Sequence, residues 1–129
     1  MEEKQKDQKT SNLKKKRQEE LADIHECMTE RLEHAEIPFH YEFPMRVAGT
    51  WYHPDFLILD LARRREVLWE HLGMMDDRIY AQNALDKLDA YASAGFYLGE
   101  NLVITWETSR RPLTYPKIRR TIAHYFLDD

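Results

Sequence analysis

Cysteine occurs once, at Cys27. A single thiol can form neither an intrachain disulfide nor a cysteine zinc cluster, so the sequence points to a reducing, cytoplasmic setting. No stretch is apolar for long enough to span a bilayer, and the first residues are charged. A membrane anchor and a signal peptide are therefore not expected. Excess positive charge is lacking too: 19 Lys and Arg stand against 23 Asp and Glu, a formal net charge of -4. Coating nucleic acid by bulk charge is excluded, whereas a local basic face is not. No internal repeat is visible, and 129 residues suit one domain with a modest core.

Apolar side chains are almost absent from residues 1–20, "MEEKQKDQKTSNLKKKRQEE". That segment has no face to bury and reads as a charged extension to a domain of residues 21–129. Its run from Lys14 to Arg17 could touch phosphates, although a solvated helix face is the commoner role of such a run.

From there the pattern is rich. Leu21, Ile24, Met28 and Leu32 recur at helical spacing, which predicts an amphipathic helix capped at Ser11 or Asn12 and ending before Ile37-Pro38. "FHYEFPMRV" alternates with a period near two, as a half-buried strand does. After a turn at Ala48-Gly49, "TWYHPDFLILDL" predicts a second strand, with Pro54 at its start or edge. Arg63, Arg64 and Arg65 form a hairpin tip, and "EVLWEHLG" a third strand. Asp76-Asp77 caps a helix over about Arg78 to Ser93 that stops at Gly95. Residues 101–107 form a fourth strand, and Thr114 and Pro116 open a last helix. The resulting order, α-β-β-β-α-β-α, predicts an α/β fold with a mixed four-stranded sheet flanked by helices.

Two acids interrupt this apolar sheet. Asp55 heads the second strand and Glu70 lies near the end of the third. If those strands form a hairpin, the two carboxylates come side by side and repel. A strand-end cap or an exposed strand end would explain either acid alone. Together they suit a divalent cation, and Mg²⁺ favours such a sparse oxygen site, with the His71 backbone carbonyl as a further ligand. By strand alternation the His71 side chain points away from Glu70, to the far face of the sheet.

"HPDF" followed by "WEHLG" resembles the PD-(D/E)XK nuclease superfamily. Pro54-Asp55 stands at its proline-aspartate pair and Glu70 at its second acid. The resemblance runs from about Leu21 to Phe126 and implies the αβββαβ core of the restriction-endonuclease-like fold. One departure is plain: where the motif has lysine, this chain has Leu72. Many exonuclease-type members carry a Q-x-x-x-Y pair on the next helix, and Lys87 with Tyr91 looks like that pair with lysine for glutamine. Tyr80, Asn83, Lys87 and Tyr91 share one helical face, so an ammonium from this helix could replace the missing lysine. An extra acid is expected from Glu42, or from Glu26 or Glu30 on the first helix.

The resemblance implies a metal-dependent nuclease (an endonuclease or exonuclease) that hydrolyses phosphodiester bonds with Mg²⁺, or Mn²⁺ in its place, and has DNA as its nucleic-acid partner. Asp55, Glu70 and Lys87 would be the catalytic set. Arg63, Arg64, Arg65, Arg110 and Arg111, with Lys117, Arg119 and Arg120 on the last helix, are candidates for phosphate contacts, which carry no sequence preference. A chain this small could also act as a homodimer or beside a partner protein. Two other classes remain open: an inactive nuclease fold kept for nucleic-acid or protein binding, and an unrelated α/β interaction domain.

Overall fold

A computed structural model describes residues 2–127, except the side chains of residues 2–10, 13, 14 and 17. The first helix, α1, spans Glu2–His34. It passes through Ser11 and Asn12 without a cap and shows no break at residue 20. Lys14 and Arg17, two of the four cations in the run from 14 to 17, fall outside the described side chains. Cys27, Met28 and Leu32 of α1 are buried, and the helix ends before Pro38 as expected.

The segment expected to form one strand forms two. Strand β1 (Phe39–Tyr41) stops where Glu42 takes a left-handed φ of 53°, and β2 (Met45–Val47) follows Pro44. An L-residue seldom adopts that φ, and it redirects the chain. The next expected strand also divides. β3 (Thr50–Tyr52) pairs with β2 around Ala48-Gly49, and β4 (Phe56–Asp60) begins after Pro54. Proline has no amide to give to a ladder, so the chain leaves one sheet and enters another there. A small β2–β3 hairpin thus stands beside the main sheet.

The main sheet contains β1, β4, β5 (Arg65–Leu72) and β6 (Leu102–Trp106), in that spatial order. β1 and β4 are antiparallel, as are β4 and β5, whereas β5 and β6 are parallel. A parallel neighbour needs a crossover, and helix α2 (Arg78–Ser93) supplies it. Asp77 caps α2 by accepting from the Tyr80 amide. Gly95, at φ 95°, releases the chain beyond it. Helix α3 (Tyr115–Ile122) starts at Thr114 with proline in its first turn and runs into a π-helical turn, Ala123–Leu127.

Strand alternation sends Phe56, Ile58, Val67, Trp69 and Val103 to one face, where they pack with Met28, Leu32, Ile118 and Ile122. Leu57, Leu68 and Leu102 take the other face and pack with Tyr91 and Leu88 of α2. Helices therefore cover both faces of a four-stranded mixed sheet. Gly73, the last residue of "EVLWEHLG", is not in the left-handed region. Its requirement is close approach: a Cβ there would overlap the Leu21 side chain of α1.

Candidate functional site

Residue pairing places the two acids opposite each other. Phe56 faces Trp69 across the antiparallel β4–β5 ladder, and continuing that register by one residue sets Asp55 against Glu70. The Asp55 carbonyl accepts from the Glu42 amide at 3.0 Å, towards β1. The pair is thus of the non-hydrogen-bonded kind, in which Cα atoms lie about 4.5 Å apart and side chains come closest. Glu70 is 2% exposed. Burial, then the neighbouring Asp55 charge, push its pKa up to about 7 against the relief given by Lys87 and Tyr91.

The helix after Glu70 reaches the site. The Tyr91 hydroxyl donates to Glu70 Oε1 at 2.7 Å, and Lys87 Nζ lies 3.7 Å from Glu70 Oε2. Four residues separate Lys87 and Tyr91, so one face of α2 presents both. The Tyr80 hydroxyl, about two turns before Lys87 on α2, accepts from the Gly73 amide at 3.0 Å. Leu72, at the position of the motif lysine, is buried.

Asp55 stands at the end of the sheet, where both helical layers meet. Its Oδ2 accepts from the His71 amide at 2.7 Å. Peptide groups of one strand residue face the same side, so the His71 carbonyl also points towards the β4 line. From α1, His25 Nε2 approaches the same Asp55 oxygen at 3.4 Å, and His25 Nδ1 is 2.8 Å from the Tyr41 hydroxyl. Burial alone would lower the His25 pKa, but the Asp55 contact and the charges of Asp55, Glu42 and Glu70 outweigh it and raise the pKa. Tyr41 is pushed up to about 12, first by burial and then by Glu42 and Asp55.

His25 is the site residue that the sequence reading misses. The α1 acids considered for this place, Glu26 and Glu30, are exposed. One signal was available: His25 follows Leu21 by four residues and precedes Met28 by three, so a polar ring sits on the apolar stripe. Glu42 also departs from expectation. It lies at a strand break and not inside a regular strand, and its amide fixes Asp55 while its charge acts on His25 and Tyr41.

The His71 side chain lies on the far face, as alternation predicts. Its Nδ1 is 2.8 Å from Thr105 Oγ1, which also accepts from Trp69 Nε1 at 3.1 Å. The direction of the His71–Thr105 hydrogen bond follows the imidazole tautomer, since the threonine oxygen can accept twice and donate once. His71 Nε2 is buried without a hydrogen-bond partner, because Glu107 Oε1 is 3.6 Å away. Burial lowers the His71 pKa to about 4, with His25 pushing the same way against the Asp55 charge.

The arginines divide by location. Arg63 and Arg65 both reach the buried Asp60, at 3.3 and 3.0 Å, and Arg65 also donates to the Glu100 carbonyl. With Arg64 they occupy the end of the β4–β5 hairpin remote from Asp55, five residues or roughly 16 Å along the strand. Arg110 and Arg111 follow β6, at the end of the sheet that carries the acids.

Among the described residues, no three His, Cys, Asp or Glu side chains are grouped so as to hold a metal ion. Mg²⁺ requires fewer, since one or two carboxylates with carbonyl and water suffice. The donor set fits: Asp55 and Glu70 supply hard oxygens, and the repulsion that raises the Glu70 pKa is what a dication relieves. No helix of the described chain is long and apolar enough to cross a membrane. No protein-family model matches this chain, and neither a curated protein nor a solved structure shows significant similarity to it.

Proposed function

We propose that this chain is a metal-dependent nuclease of the PD-(D/E)XK type that hydrolyses phosphodiester bonds in DNA. The observation that carries this reading is the opposition of Asp55 and Glu70 on β4 and β5. With the β2–β3 hairpin set aside, the order α1-β1-β4-β5-α2-β6 agrees with an αβββαβ core. Asp55, Glu70 and the His71 carbonyl would hold Mg²⁺, or Mn²⁺ in its place. The ion, when bound, positions the scissile phosphate and lowers the pKa of the attacking water. Lys87 brings a cation to the same carboxylate from α2 and can stabilise charge developing on the phosphate. Tyr91 fixes the orientation of Glu70, and His25 that of Asp55.

Cleavage of supercoiled and linear DNA with Mg²⁺ or Mn²⁺, run beside Asp55→Asn and Glu70→Gln, tests this. Both variants should fold and lose cleavage. Equal cleavage by folded variants would refute the assignment. A second reading, an inactive nuclease fold that binds nucleic acid or protein, is favoured by one observation: buried Leu72 replaces the motif lysine. A wild type that cuts with neither metal would favour it.

A further inference from the structure

The outer edge of β6 and the side of α3 bound a cleft of about 530 Å³, within the size range of ligand sites. Neither the acid pair nor Lys87 borders it. Arg111, Lys117 and Arg120 line it with His124, Trp106 and Tyr125, and no carboxylate is among its described lining residues. Among the described residues, none of these three cations has a carboxylate in salt-bridge range. Arg111 is held in a tight turn by paired backbone hydrogen bonds with Thr108. Lys117, Thr121 and His124 recur at helical spacing, beside the buried stripe of Ile118 and Ile122. Trp106 is 60% exposed at the cleft wall.

The chemistry of this lining is selective. Three cations with no carboxylate in range among the described residues surround a concavity and attract a polyanion, in a chain whose net charge is negative. An exposed indole beside them offers a stacking platform that any nucleobase can use. A duplex keeps its base faces stacked internally, so only an unpaired nucleotide can use both features. The register gives the direction: Ile104 of the cleft wall pairs with Glu70, and Trp106 with Leu72. The cleft therefore begins one strand spacing, about 4.8 Å, from the strand that bears the metal-binding acid.

We propose that the cleft between β6 and α3 binds an unpaired nucleotide of a nucleic-acid strand, with its phosphates on Arg111, Lys117 and Arg120 and its base on Trp106. The passage of that strand onward to Asp55 rests on the nuclease reading; the binding itself does not. The test is fluorescence anisotropy of a labelled single-stranded oligonucleotide with the full chain in chelator, where no cleavage can occur. Lys117→Gln/Arg120→Gln should weaken binding about tenfold or more and reduce the log-log salt slope by about 1.4, or 0.7 per contact. Trp106→Ala should weaken it at least about fivefold, while Trp106→Phe, which keeps an aromatic face, retains binding. Duplex of the same sequence should bind more weakly than single strand. Unchanged affinity and slope in the folded double variant would overturn the cleft, as would absence of binding by the wild type or equal binding of duplex. A wild type that binds single strand through these residues but never cleaves would sink the nuclease reading alone.

Discussion

Asp55 has two tasks that substitution can separate. Its charge faces Glu70, and its Oδ2 satisfies the buried His71 amide. Asp55→Asn removes the charge and keeps an acceptor, so its stability in chelator should stay within about 1 kcal/mol of wild type. Asp55→Ala leaves the amide unpaired and should cost about 1–3 kcal/mol. Urea denaturation of both variants checks this; equal costs would show that the His71 amide does not depend on Asp55. The same residues govern pH dependence. His71 binds its proton near pH 4 in the folded state and near 6.5 unfolded. Its contribution is therefore complete above about pH 6.5 and is lost as pH falls towards 4, up to roughly 2–3 kcal/mol. Glu70 acts with the opposite sign: the folded state holds its proton up to about pH 7 and the unfolded chain only to 4.5, so stability is lost as pH rises through that window. In wild type the two slopes oppose each other. Glu70→Gln removes one, and its denaturation midpoint should then climb more steeply than wild type between about pH 5 and 7 in chelator. Parallel profiles would show that Glu70 ionises normally.

At the scale of elements, α2 carries the cation and α1 the packing. Lys87→Met should keep fold and DNA affinity and lower turnover by roughly a hundredfold, the scale of removing one charge-stabilising group. Leu72→Lys in that background should restore part of the rate, because Leu72 and Glu70 lie on one face of β5. Single-turnover cleavage measures both, and a normal rate in Lys87→Met would remove Lys87 from the chemistry. Gly73→Ala drives a methyl into Leu21. It should cost about 1–3 kcal/mol in thermal or urea unfolding, and Leu21→Ala in the same chain should cost less than in the wild type. Strict additivity would separate the two residues. These elements also show what the sequence makes legible. Local signals, such as Asp77 at an N-terminus or Gly95 beyond a C-terminus, place helices well. The breaks at Glu42 and Pro54 are harder to read, because an alternating pattern continues across them while the partner strand changes. The acids at Asp55 and Glu70 are legible because a hairpin register is nearly local. His25 is not, since its role depends on where a helix thirty residues before Asp55 comes to lie.

Across the whole molecule, the site is assembled from contacts of very different range. Only residues 61–64 separate β4 from β5, so the strands bearing Asp55 and Glu70 can meet by closing a short loop. β5 and β6 pair only after the chain has passed through α2, a separation of about thirty residues. Short loops close at lower entropic cost, and long-range parallel pairing comes late. The carboxylates can therefore come together before Lys87 and Tyr91 are docked, a stage at which their repulsion has no counter-charge. The repulsion then belongs to the folding barrier as much as to the native state. Glu70→Gln should accelerate refolding in stopped-flow experiments at neutral pH in chelator, whereas Lys87→Met should act mainly on the unfolding limb of the chevron. Equal changes on both limbs for the two variants would mean that the helix docks before the hairpin closes. The opposed acids of β4 and β5 would then also act as a brake on the route by which the chain reaches its native sheet.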